Sequence, residues 1–212
     1  PSISVSPVVT SNYTVTVSDG ISSCFDTIAI YIDTISPTVF PHSNVSVYLN
    51  SSGQATLSAS LADSATSDNC LIDSIYLSNS SFQCADIGAN PTLLYALDNN
   101  GNLDSAEFVV SIIDSNAPVA IAQSVTLYLD AAGTANLTVS QVDNGSTDNC
   151  AIDTMTLSSY NFVCADTGVN TITLTVSDVS GNSATQSAQI TVMDTNSPIV
   201  MTQNVTIFLD VN

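Results

Sequence analysis

The sequence contains no lysine, no arginine and no tryptophan, and only one histidine, His42. Without basic side chains the chain has nothing with which to neutralise phosphates, which excludes nucleic acid and anionic lipid headgroups as partners. Salt bridges cannot hold the fold together. The same absence removes the usual means of activating a nucleophile or stabilising an oxyanion, and no Gly-x-Ser-x-Gly occurs, so no enzyme activity and no catalytic residue is expected. No run approaches the roughly 20 consecutive apolar residues of a membrane span, so this segment is not expected to insert in a membrane. No signal peptide is visible.

What is present is acid without base. Eighteen aspartates and one glutamate, Glu107, give the 212 residues a formal charge of −19. Only 9% of residues are charged, against about 25% in an average soluble protein, so the surface must be covered mainly by Ser, Thr, Asn and Gln. The 44% hydrophobic content is enough for packed cores. A uniformly negative body repels its own copies unless cations intervene, which makes metal ions the natural counter-charge.

The chain repeats itself. Asp68-Asn69-Cys70 returns as Asp148-Asn149-Cys150, Phe82-Gln83-Cys84-Ala85-Asp86 as Phe162-Val163-Cys164-Ala165-Asp166, and the stretch 98–102 as 178–182, each at an offset of 80. Linker motifs recur at Asp33 to Pro37, Asp114 to Pro118 and Asp194 to Pro198. This spacing predicts two whole repeats, about 37–117 and 118–197, with the end of another domain at 1–36 and the first strand of a further repeat at 198–212. Within a repeat the apolar period is two: Val45, Val47, Leu49; then Ala55, Leu57, Ala59, Leu61; then Phe108, Val110, Ile112. About seven short strands per repeat predict an all-β fold of tandem immunoglobulin-like β-sandwich domains.

Cys70 with Cys84, and Cys150 with Cys164, hold matching places in the two repeats, each pair enclosing 13 residues. One disulfide inside each repeat is therefore expected, worth about 3 kcal/mol on the chain-entropy model. Zinc is disfavoured by the lack of any Cys-x-x-Cys and of a second histidine. Cys24 is left over, with a partner expected upstream of Pro1. Disulfides imply an oxidising, extracytoplasmic compartment.

An immunoglobulin-like topology brings the incoming linker, the loop between the second and third strands and the last hairpin turn to one pole. That places Asp33, Asp68 and Asp98 together in the first repeat and Asp114, Asp148 and Asp178 in the second, with Asp194 opening the next set. Asn69, Asn100 and Asn102, and Asn149 and Asn182, stand beside them and would complete all-oxygen sites. Such sites suit a hard cation, Ca²⁺ above all, as a structural cofactor. The competing reading is that these are only good turn and strand-end residues.

Together these motifs, Asp-Thr-x-x-Pro, Asp-Asn-Cys, Phe-x-Cys-x-Asp-x-Gly and Asp-x-x-Gly-Asn, resemble the hyalin repeat and related immunoglobulin-like modules of large surface proteins, especially gliding and adhesion proteins exported by type IX secretion. The resemblance covers 33–212, and residues 1–32 look like the end of another repeat of the same proteins. It implies a secreted, cell-surface segment of a structural or adhesive fibre, a stalk stiffened by calcium at its domain junctions, whose partners are neighbouring repeats of the same chain or fibre. Surface glycans or proteins are the partners of an alternative reading, a binding module. A third reading is a filament self-assembled by strand complementation. The resemblance also implies O-glycosylation where Asp-Ser/Thr precedes an apolar residue, at Thr27, Thr34, Ser64, Ser74, Ser105 and Thr154.

Overall fold

A computed structural model describes residues 4–208. The chain divides into two compact units, Pro1–Asp114 and Ser115–Asn212.

The first unit opens with an antiparallel hairpin of β1 (Ser11–Ser18) and β2 (Ser23–Ile30). Its turn is closed by Asp19, whose Oδ1 accepts from the N–H groups of Ile21 at 2.9 Å and Ser22 at 2.7 Å. Its apolar side chains Val15, Val17, Phe25 and Ile28 are exposed.

The repeat that follows contains β3 (Asn44–Tyr48), β4 (Gln54–Thr56), the short helix α1 (Ala59–Ala62), β5 (Ile72–Leu77), β6 (Ser81–Gln83), β7 (Gly88–Asp98) and β8 (Leu103–Ile113). One sheet has the order β3-β8-β7-β5. Its first strand lies parallel to its last, Val45 opposite Val110, while β7 and β8 form a long antiparallel hairpin. The opposing layer is the β4–β6 ladder, extended by the bridges Thr38↔Ser67 and Pro41↔Asp63. Alternation sends Leu94, Ala96, Phe108, Val110 and Ile112 inward, against Leu57, Ala62 and Phe82.

The second unit repeats the plan with β9 (Val125–Tyr128), β10 (Thr134–Asn136), α2 (Val139–Val142), β11 (Ile152–Leu157), β12 (Asn161–Val163), β13 (Gly168–Asp178) and β14 (Ser183–Met193). Its sheet order is β11-β13-β14-β9, opposed by β10–β12. Leu137, Val142, Phe162, Leu174, Val176 and Ile190 lie at the centre of its core. The fold is thus all-β, as tandem immunoglobulin-like sandwiches.

One local expectation fails. The run from Ala55 to Leu61 is not one strand, because it leaves β4 after Thr56 and turns into α1, which exposes Leu61 at 65%. In the second repeat the same turn is fixed by Gln141 Oε1 accepting from the Thr138 N–H at 2.9 Å, a side-chain bond that alternation cannot reveal. Residues 198–208 form no strand, and the last four of the segment lie outside the described residues. In both repeats the corresponding strand pairs with the last strand of its own repeat.

Candidate functional site

Each repeat has two poles defined by its long hairpin. β7 begins at Gly88 opposite Ile112 and ends at Asp98, so the β7–β8 turn marks the pole where the chain enters, and the end of β8 marks the pole where it leaves.

At the entry pole of the first repeat, one oxygen from each of Asp33, Asp68 and Asp98 lies within 4.8 Å of the others. Two ligands of one Ca²⁺, each about 2.3–2.6 Å from the ion, are at most about 5 Å apart, so the spacing fits a single cation. The turn fixes Asp98. Its Oδ1 accepts from the N–H groups of Asn100 and Asn102, both at 2.8 Å, while Oδ2 accepts from Asn102 Nδ2 at 2.7 Å. Gly101 at φ +90° allows the chain to close this loop. Asn102 Nδ2 also donates to the Asp33 main-chain oxygen at 3.1 Å and Asn100 Nδ2 to the same oxygen at 3.4 Å, tying the incoming linker to the turn. Asn69 Nδ2 donates to Asp33 Oδ2 at 3.0 Å. Asp68 Oδ2 accepts from the Cys70 N–H at 2.9 Å.

One oxygen in this arrangement stands out. Asp68 Oδ1 is buried and accepts no hydrogen bond, and the same holds for Asp148 Oδ1 in the second repeat. Leaving a buried carboxylate oxygen unsatisfied costs several kcal/mol by order of magnitude, and no lysine or arginine exists to compensate it. An all-oxygen set with an orphaned buried acceptor is chemistry that a hard cation satisfies.

The second repeat reproduces the cradle. Asp178 is 2% exposed, like Asp98 at 3%. Its Oδ1 accepts from Ser180 and Asn182 N–H and its Oδ2 from Asn182 Nδ2, at 2.9, 2.8 and 2.8 Å. Asp148 Oδ2 accepts from the Cys150 N–H at 2.8 Å, and carboxylate oxygens of Asp148 and Asp178 lie within 4.8 Å of one another. Asp114, the counterpart of Asp33, is buried at the end of its unit.

Several expected site residues make hydrogen bonds of their own. Asn69, Asn100 and Asn102, proposed as ligands, turn their amide nitrogens to carboxylate or carbonyl oxygens and so position the aspartates. Asn182 does the same for Asp178, and Asn149 Nδ2 faces Cys150 Sγ at 3.5 Å. Asp194 belongs to no acidic cluster among the described residues. It sits at the leaving pole of the second repeat, where Asn196 N–H donates to it at 2.9 Å and Asn196 Nδ2 donates to the Asp130 main-chain oxygen at 2.8 Å. Of the residues with a glycosylation motif, Thr27, Thr34, Ser64, Ser105 and Thr154 are exposed and Ser74 is half-buried.

The cysteine pairing differs from expectation. Cys84 and Cys150 are the disulfide-bonded cysteines, and Cys24, Cys70 and Cys164 are free. Neither expected pair, Cys70 with Cys84 or Cys150 with Cys164, forms. The cause is that the 13 residues between Cys70 and Cys84 run as β5 and then β6 from one pole to the other. Cys70 lies beside Asp33, Asp68 and Asp98, whereas Cys84 Sγ packs on the Gly53 oxygen at 3.6 Å, at the leaving pole. The length of β7 separates these places by roughly 30 Å at about 3.3 Å per residue, whereas a disulfide needs Cα atoms within about 7 Å.

The electrostatics follow the hydrogen bonds. The Ile35 N–H, then the Asn69 amide, hold the Asp33 carboxyl below the ordinary carboxylate range. Burial pushes Asp98 up, but the Asn102 side chain and the N–H groups of Asn102, Asn100 and Gly101 together outweigh it and keep its pKa low. The thiol of Cys70 is raised, first by its hydrogen bond to Asp33, then by burial and by the negative charge of Asp33, Asp68 and Asp98.

One feature was not anticipated from sequence. Tyr76 on β5 stacks on its cross-strand partner Tyr95 on β7, with centroids 5.1 Å apart and planes 14° off parallel. Leu93 and Leu97 share this outer face of the sheet. The second repeat has Thr156, Thr175, Thr173 and Ser177 at the same four places. Comparing the repeats for differences, not only for identities, would have found it.

Among the described residues no helix is long and apolar enough to cross a membrane. No protein-family model matches the chain, and neither does any curated protein. Solved structures similar to it include mouse clustered protocadherin PcdhgC3 EC1-3, at 13% identity and TM-score 0.37, covering 87% of this chain and 77% of that one. Protocadherin gamma B7 cadherin domains 1-4 match at 12% and 0.37, over 83% of this chain and 55% of that one. The fibronectin(III)-like modules of Clostridium thermocellum CbhA match at 12% and 0.29, over 79% of this chain and all of that one. Likenesses of this size assign no ligand or partner to the chain.

Proposed function

We propose that this chain is a segment of an extracellular structural or adhesive array, a stalk of immunoglobulin-like repeats in which Ca²⁺ at each entry pole locks the incoming linker to its repeat. The observation that carries the reading is Asp68 Oδ1, a buried oxygen without a donor, repeated at Asp148, each on a member of an acidic cluster in a chain with no basic side chain. Asp33, Asp68 and Asp98 would hold the ion in the first repeat, with Asp148 and Asp178 supplying the equivalent oxygens in the second. Bound there, the cation supplies charge neutralisation and cross-linking of linker to loop, not catalysis. Thermal melts in millimolar Ca²⁺ and in chelator test it. A site filled at 100 times its Kd adds about 2.7 kcal/mol, so melting must rise with Ca²⁺, and an unchanged melting temperature sinks the proposal.

A second reading, a glycan- or protein-binding module, is favoured by the outer face of the first repeat, where Tyr76 and Tyr95 form an apolar patch that the second repeat lacks. Loss of binding to the partner cell surface in Tyr95→Thr, with calcium response intact, would support that reading over the stalk.

A further inference from the structure

We propose that Asn144 is a self-modifying site, where the Asn-Gly link converts without an enzyme to isoaspartate and aspartate and so loosens the first segment of the second repeat from its loop. The inference goes beyond the stalk reading and involves no cation.

Two Asn-Gly pairs occur in the chain, Asn100-Gly101 and Asn144-Gly145. Such a pair is reactive because glycine has no side chain to shield its nitrogen or to hold it away from the preceding amide. The glycine nitrogen bonds to the asparagine Cγ, the Cγ–Nδ2 bond breaks, and the amide nitrogen leaves as ammonia, carrying the proton that the glycine nitrogen loses. Water then opens the cyclic imide at either carbonyl. One water is consumed, one ammonia is released, and nothing is oxidised or reduced.

Their surroundings separate the two pairs. Asn100 Nδ2 donates to the Asp33 main-chain oxygen at 3.4 Å, and the Gly101 N–H donates to the Asp98 main-chain oxygen at 3.3 Å, so amide and nucleophile are both engaged. The Asn144 side chain is exposed and makes no hydrogen bond among the described residues. The Gly145 N–H meets only a side-chain oxygen, Asp143 Oδ2, at 3.4 Å. Nothing stands within 4 Å of where a Cβ of Gly145 would be, which leaves the ring room to close.

The fold does not require the pair, because the first repeat makes the same turn with Ser64 and Ala65. The Ser64 N–H donates to the Phe40 oxygen and the Asn144 N–H to the Ile121 oxygen, both at 2.9 Å. The Thr66 and Ser146 N–H groups donate to Oδ1 of Asp63 and Asp143, both at 3.0 Å. Ala65 closes its turn without the positive φ that Gly145 adopts.

This turn grips the segment that follows Pro118. The Ile121 N–H donates to Ser146 Oγ at 3.0 Å, and the Ile121 oxygen accepts from the Asn144 N–H. An isoaspartyl link inserts one carbon, about 1.5 Å of main chain, between these two anchors. The changed spacing loosens both bonds.

The test incubates the full chain in chelator at mildly alkaline pH and maps its peptides by mass after cleavage at aromatic residues, since the chain has no Lys or Arg to cut. Isoaspartate and aspartate are expected to build up many-fold faster at position 144 than at 100, and faster as pH rises, because the glycine nitrogen must lose its proton. Gly145→Ala, which installs the residue the first repeat carries, is expected to suppress them. Amide hydrogen exchange at Ile121 should quicken in the aged protein while that at Phe40 stays the same. Asn144→Asp, which gains the charge without the extra carbon, should keep the slow exchange. The proposal is overturned by equal rates at 144 and 100, by an undiminished rate in Gly145→Ala, by unaltered exchange at Ile121 in the converted protein, or by exchange as fast in Asn144→Asp.

Discussion

Asn102 donates from its side-chain nitrogen to the main-chain oxygen of Asp33 at 3.1 Å, across 69 positions of sequence. The same nitrogen holds the buried Asp98 carboxylate at 2.7 Å, so one amide couples the linker to the turn with or without an ion. Asn102→Ala removes both bonds and strands a buried acceptor. It is expected to destabilise the first repeat by about 1–3 kcal/mol, read as a lower urea midpoint, and to weaken its Ca²⁺ affinity.

Acid should weaken the turns that carboxylates close. Asp33, Asp98, Asp130 and Asp143 all have lowered pKa values in the fold. For a lowered carboxylate the stabilisation is fully present above the unfolded value, about 3.9, and is lost as pH falls through the folded value. Melting temperature in chelator is therefore expected to hold near neutral pH and to drop below about pH 4. The sign would be reversed if these groups were destabilised as anions.

The glycine seat of Cys164 can be measured alone. Gly133→Ala pays for a positive φ, about 1–2 kcal/mol, and in addition crowds Sγ at 2.6 Å. Gly181→Ala, at φ +89° with nothing within 4 Å of the added carbon, pays only the first. Chemical denaturation should show Gly133→Ala to be the worse of the two, and Cys164→Ala should abolish the difference.

Leu94 and Leu174 are both fully buried, one in each unit. Truncating either to alanine should cost about 2–5 kcal/mol. In calorimetry Leu94→Ala is expected to lower the transition of the first unit and Leu174→Ala that of the second.

Much of this was legible in the sequence because its causes are local or repeated. Alternation at Phe108, Val110 and Ile112 sets the sheet face, and the 80-residue offset together with topology placed Asp33, Asp68 and Asp98 at one pole. The pairing of cysteines was not legible, since a 13-residue gap suits a closed loop as well as two strands running pole to pole, and only strand direction decides between them. The hydrogen bonds of the asparagines were not legible for a similar reason. Composition reveals that Asn102 offers an oxygen and a nitrogen, but not which of them faces Asp98. Tyr95 was missed because its partner Tyr76 lies 19 residues earlier, and register alone makes them neighbours.

The most direct test of the account is calorimetric titration of the chelator-treated full chain with CaCl₂ at physiological salt, beside Asp68→Asn and the double variant Asp68→Asn, Asp148→Asn. The account expects saturable binding at one site per complete repeat, with one site lost in the single variant and both in the double. Heats of dilution alone in the unaltered chain, or an unchanged stoichiometry in the double variant, would contradict it.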